Sequence, residues 1–171
     1  MIERKTAVTF KGGPVTLIGP EIKAGDKAPA FSIAATDLSP ASLADYAGKV
    51  VIIVAVPSLD TSVCDMEVRR FNAEAGKLSD DIVILTISMD LPFAQSRWCG
   101  AAGATAVKCL SDYKEASFGK AFGTLIKELH LLARSCFVVD KKGIVTHAQY
   151  VPEVTHEPDY EAVIEAAKAA L

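Results

Sequence analysis

The most constraining stretch of this sequence is KVVIIVAVP at 49–57. Its residues from Val50 to Val56 are all apolar, with no polar alternation. A strand that wets one face alternates; one that is apolar throughout is covered on both faces and belongs at the centre of a sheet. DIVILTISMD at 81–90 reads as a second central strand, and residues 62–78 between them as a helix. Further strands and helices follow. LPFAQSRWCGAAG at 91–103 predicts a short helix ending near Gly103, residues 113–122 another helix, and 124–130 a loop. ARSCFVVDKKGIVTHAQYV at 133–151 predicts a β-hairpin with DKKG at its turn. EPDYEAVIEAAKAAL at 157–171 predicts a final helix with Pro158 in its first turn. Ahead of the central strands, VTFKGGPVTLIG at 8–19 reads as a hairpin around Gly12-Gly13, and GDKAPAFSI at 25–33 as a turn and a strand. The expectation is an α/β layer structure with a mixed central sheet in one domain spanning 1–171, residues 1–19 being a hairpin extension.

The bulk properties narrow the function. Half of the 171 residues are apolar, enough for a sizeable core, and the net charge is −3. Without a basic surplus, nucleic acid is not an expected partner. No run approaches the roughly 18 apolar residues of a membrane span, and MIERKTAVTF lacks the apolar centre of a signal peptide. A cytoplasmic protein with no membrane partner is expected. The cysteines at 64, 99, 109 and 136 form no C-x-x-C and no zinc spacing, and no histidine pairs with another at i,i+4. No metal site is expected.

Cys64 supports two readings. Cys64, Val68, Phe71, Ala75 and Leu78 make one apolar helical stripe, which would make the cysteine simply its first core residue. Yet it also follows a central strand, at the sheet edge where α/β sites form, and lies in the opening turn of a helix. Unpaired N–H groups and the positive end of the helix dipole favour a thiolate there. Thr61 can fold its hydroxyl towards the sulfur or cap the helix. Asp65 and Glu67 suit a helix start but repel a thiolate, so a cation from elsewhere is needed. Arg134 is a candidate, whereas Arg69 and Arg70 read as a solvated face.

Here the sequence resembles a known family. Pro57…Thr61…Cys64 is similar to the P-x-x-x-T-x-x-C signature of peroxiredoxins. VPSLDTSVC, DLPFAQSRWCG, VTFKGGPVTLIG and the Thr155–Glu161 stretch resemble one branch of it, the bacterial atypical two-cysteine thiol peroxidases. The resemblance covers essentially the whole chain and implies a thioredoxin-like fold. It implies that Cys64 is the peroxidatic cysteine, which attacks a hydroperoxide, organic or hydrogen peroxide, and becomes a sulfenic acid. Thr61 and Arg134 would be its polar partners, Pro57 would shield the pocket, and the N–H groups near Val63 and Cys64 would add donors. Cys99, otherwise readable as a helical core residue beside Trp98, would be the resolving cysteine, giving an intrachain Cys64–Cys99 disulfide that thioredoxin reopens. No flavin, haem or metal cofactor is implied.

Both cysteines fall in separate helices, so both segments are expected to unwind locally to react; Gly100 and Gly103 weaken the second. Cys136, in a buried strand, reads as a core thiol, and Cys109 is open. Ser62 stands where the branch commonly has proline. The resemblance also implies a homodimer, and Met89, Leu91, Phe93 and Trp98 are apolar candidates for the subunit contact or for organic hydroperoxides. A redox sensor using the same cysteines is the rival reading; a binding module with inert cysteines leaves their grouping unexplained, and a disulfide reductase lacks C-x-x-C.

Overall fold

The computed structural model describes residues 1–171. Its main sheet has seven strands: β3 (Ser32–Ala35), β4 (Pro40–Ser42), β5 (Val50–Ala55), β6 (Ile82–Ser88), β7 (Lys108–Ser111), β10 (Ser135–Val139) and β11 (Val145–Tyr150). Their spatial order is β11-β10-β5-β6-β7-β3-β4. β5, β6 and β7 run parallel, with Val54 opposite Thr86 and Thr86 opposite Cys109; β10 and β3 pair antiparallel on either side. The sheet is mixed, as expected, and β5 is buried at every position.

Its two faces carry two cores. One takes β5 residues Val50, Ile52 and Val54 with helices α1 (Ser62–Ala75), α2 (Pro92–Ala102) and α4 (Tyr160–Ala169). The other takes Val51, Ile53 and Ala55 with Phe118 of α3 (Ser117–Ala121), Phe122 and Phe137. The alternation of side chains along one apolar strand thus feeds both layers. No helix is long and apolar enough to cross a membrane.

Several sequence expectations shift. The N-terminal hairpin pairs β1 (Glu3–Phe10) with β2 (Gly13–Ile18), so its first strand begins at Glu3 rather than Val8. Glu3 to Thr6 are polar and the register slips between Arg4 and Val8, which erases the period-2 signal. Residues 124–130 are not only loop: β8 (Leu125–Ile126) and β9 (Leu131–Leu132) extend the hairpin to a four-stranded sheet, β1-β2-β8-β9. Two-residue strands have no periodicity to read. The helix expected over 113–122 begins only at Ser117, where the Asp112 carboxylate accepts from the N–H groups of Phe118 and Gly119. The helix expected over 62–78 ends at Ala75, before Gly76. Pro158 precedes α4 rather than lying in its first turn, because Asp159 caps the helix by accepting from Ala162 N.

Candidate active site

Three segments converge at Cys64. The first is the turn after β5. Val56 N–H donates to Ile87 O (3.0 Å), carrying the strand one residue beyond its regular end, and the buried Pro57 then turns the chain. Asp90, just past β6, holds the turn: its carboxylate accepts from Ser58 Oγ (2.7 Å), Leu59 N (2.8 Å) and Ser88 Oγ (2.8 Å). Two adjacent parallel strands therefore fix where α1 begins.

Cys64 is the third residue of α1 and is fully buried. The first helical bond runs from Asp65 N to Thr61 O (2.9 Å), and the N–H groups of Ser62, Val63 and Cys64 donate to no protein acceptor. These are the unpaired donors that every helix start leaves, and Cys64 sits among them in the first turn of α1.

The second segment is the approach to β10, which delivers Arg134. This guanidinium is 2% exposed and spreads its fork over three acceptors. Nε donates to Val154 O (2.8 Å), Nη1 to the Glu67 carboxylate, and Nη2 to Cys64 Sγ (3.2 Å). Burying a guanidinium demands such partners, and its planar fork serves all three at once in a way an ammonium does not. Glu67, fully buried, neutralises the arginine. Burial pushes the Glu67 carboxyl up, to about 7, against the opposing pull of Arg134. Cys136 Sγ lies 4.0 Å from Glu67, and burial, with the Glu67 charge, holds that thiol well above its usual range.

The third segment is α2. Trp98 donates its indole N–H to Asp65 (2.8 Å) on α1, and Arg69 donates to the other oxygen of the same carboxylate (2.9 Å). The Arg69 hydrogen bond, with that of Trp98, holds the Asp65 carboxyl below the usual carboxylate range. Cys99 follows Trp98 and is half-buried. Its sulfur does not face Cys64 but contacts Cys109 Sγ on β7 at 2.9 Å. All four cysteines are unbonded thiols.

The structure therefore brings Cys64 and Arg134 together in the first turn of α1, where the Val63 and Cys64 amides are unpaired, and Pro57 is buried in the turn that leads there. Thr61 is not brought to the sulfur. It is exposed, its hydroxyl donates to Ser58 O (3.0 Å), and it makes no side-chain cap. The geometry of the Ser58–Thr61 turn takes the hydroxyl away from both expected partners. Sequence reasoning missed Asp90 and the inward role of Glu67. The signal for Glu67 was present: Cys64, Glu67, Val68 and Phe71 fall at i, i+3, i+4 and i+7, which places the carboxylate on the buried face. Asp65 was read as suiting a helix start and repelling a thiolate; its pairing with Trp98, which joins α1 to α2, was not foreseen.

Comparison with known proteins adds an independent line. Residues 23–164 match the Redoxin family. The chain is similar to the thiol peroxidase of Bacillus subtilis (strain 168), at 59% identity over 162 residues covering 95% of this chain and 96% of the relative. It is similar to the thiol peroxidase of Halalkalibacterium halodurans at 56% identity, covering 96% and 99%. Among solved structures it resembles a peroxiredoxin-like protein from Aquifex aeolicus, with TM-score 0.91 and 38% identity over 97% of this chain and 98% of the other.

Proposed function

Because the chain belongs to the Redoxin family and reduces peroxides as a thiol peroxidase, we propose that Cys64 is the peroxidatic residue and Cys99 the resolving one. The observation that carries this reading is the Arg134 donor 3.2 Å from the sulfur of a cysteine in the first turn of a helix whose opening N–H groups are unpaired. A thiolate there gains a charge-assisted hydrogen bond and the helix dipole without exposure to water. The same donors suit the reaction. As the thiolate attacks the terminal oxygen, an S–O bond forms and the O–O bond breaks, moving charge onto the departing oxygen. Fixed donors around both oxygens stabilise that transition state more than the ground state. The alkoxide takes a proton and leaves as alcohol or water, and Cys64 carries a sulfenic acid.

Cys99 then condenses with that acid, releasing water and forming the Cys64–Cys99 disulfide. Cys64 contacts Arg134 and Cys99 contacts Cys109, each within a formed helix. Pairing them requires the first turn of α1 and part of α2 to open. A dithiol protein of the thioredoxin type then exchanges with the disulfide and regenerates both thiols. We place the chain in the cytoplasm, where a reducing poise keeps such thiols available for the next turnover. Leu91 and Phe93 are 52% and 67% exposed at the start of α2, and fit a homodimer contact that also favours organic hydroperoxides. Trp98, grouped with them by sequence, is buried and belongs to the α1–α2 contact instead.

Trp98 supplies the test. Its indole donates across the two helices that must separate. Mixing the reduced protein rapidly with cumene hydroperoxide is expected to change its emission. The change should vanish in Cys64→Ser, and in Cys99→Ser the slower, disulfide-forming phase should be lost. An unchanged emission change in Cys64→Ser would contradict the assignment.

A further inference from the structure

Cys109 was left without a role by the sequence, and the reaction above does not use it. The fold nevertheless sets its sulfur 2.9 Å from that of Cys99. A disulfide needs about 2.05 Å, so only a small approach separates this pair from a bond. The placement rests on two braced elements. One turn before Cys99, the buried Gln95 donates to Leu110 O (2.8 Å) on β7 and to Ser88 Oγ (3.0 Å) on β6. After it, Gly103 closes α2 in the left-handed conformation, and Ala104 N donates to Cys99 O (3.1 Å). Asn72 on α1 accepts from Ala106 N (2.8 Å), fixing the chain that leads into Cys109. A folded α2 therefore aims Cys99 at Cys109.

This creates a competition. The Cys64–Cys99 bond forms only while both helices are opened, whereas a Cys99–Cys109 bond suits the folded arrangement of α2 on β7. We propose that Cys109 is a third redox cysteine, which displaces Cys64 from the Cys64–Cys99 disulfide and stores the oxidation as Cys99–Cys109. This rests on the reading that Cys99 resolves the sulfenic acid. The step balances without a further reactant. Cys109 loses its proton and attacks Cys99 Sγ. The Cys99–Cys109 bond forms as the Cys64–Cys99 bond breaks, and Cys64 leaves as a thiolate that takes up a proton. No net oxidation occurs in the exchange; the two electrons were already given to the peroxide.

The chemistry favours that direction. Release of Cys64 restores its sulfur to the Arg134 donor within a refolded α1. Attack by Cys109 is held back in the reduced protein: the hydrogen bond to Cys99 is the largest influence pushing that thiol up, ahead of burial. That influence ends once Cys99 has entered the first disulfide. The consequence is a refolded active site. Cys64 meets a second peroxide while Cys99 is occupied, so the chain accepts more than one oxidising equivalent before a reductant acts.

The four cysteines fall in four tryptic peptides, 50–69, 98–108, 109–114 and 135–141, so the pairings are directly readable. The reduced full chain is mixed with one equivalent of cumene hydroperoxide, quenched in acid at intervals, capped with N-ethylmaleimide and digested. A 50–69/98–108 linkage is expected first, giving way to 98–108/109–114. With excess peroxide and no reductant, the wild type is expected to consume about twofold more peroxide per chain than Cys109→Ala, whose Cys64–Cys99 disulfide ends the reaction. A 50–69/98–108 linkage that persists unchanged in the wild type overturns the proposal and leaves resolution by Cys99 standing. Absence of that linkage from Cys109→Ala at every time would overturn resolution by Cys99, and the proposal with it.

Discussion

Arg134→Ala is expected to lower stability by about 3–5 kcal/mol, the usual cost of stripping one partner from a buried ion pair. It is also expected to slow peroxide reduction by about 10²–10³-fold, the usual cost of losing a donor aimed at transition-state charge. Both effects follow from one side chain serving Val154 O, Glu67 and Cys64. They are separable. Arg134→Met combined with Glu67→Gln removes both buried charges, and should recover much of the stability while leaving the reaction slow. Arg134→Lys keeps the charge but cannot span three acceptors, so it should fall between wild type and alanine in rate.

The loss in Arg134→Ala carries a pH signature. Glu67 titrates near 7 in the fold, above its reference value of 4.5, because burial disfavours its charged form. A carboxyl raised in the fold contributes stability that is fully present below its unfolded pKa and is lost as pH rises through the folded one. Without Arg134 the folded value climbs further. Wild type and variant lose stability alike between 4.5 and 7, so the penalty in Arg134→Ala should be flat in acid and grow only as pH rises through 7. Urea denaturation across that window, with Glu67→Gln as the variant lacking this slope, measures it. A penalty independent of pH would mean that Arg134 does not hold a buried charge.

Cys64→Ser is expected to abolish fast oxidation by hydroperoxides. The hydroxyl has no accessible anion at neutral pH and no counterpart to the sulfenic acid. The remaining thiols should then react only at the rate of ordinary cysteines. The fold should persist, because serine is close in size and Arg134 Nη2 can donate to its oxygen. A Cys64→Ser protein that keeps fast peroxide consumption with its fold intact would place the chemistry at another residue.

How much of this was legible varied with the kind of signal. The unbroken apolar run from Val50 to Val56 is a strand buried on both faces, and Gly103 ends α2 where its sequence implied. Those features are local, and local chemistry enforces them. Cys64 at a helix start was legible for the same reason. Arg134 could be nominated but not placed, since 70 positions separate it from Cys64 and only the β10–β5 pairing brings them together. Thr61 was misread because the hydroxyl's direction depends on a turn that Asp90 pins from the neighbouring strand. Glu67 was legible as a position on the buried face but not as a partner. The Cys99–Cys109 contact was invisible, because it depends on the rotation of α2 over β7, which Gln95 sets and no spacing encodes.

The most direct measurement uses Cys99→Ser, in which no resolving thiol is present at that position. The reduced variant is given one equivalent of cumene hydroperoxide in the presence of dimedone, a trap for sulfenic acids, and is then digested with trypsin. The account predicts the adduct on the peptide spanning 50–69, which carries Cys64. An adduct confined to the peptides carrying Cys109 or Cys136, with Cys64 still a free thiol, would contradict it.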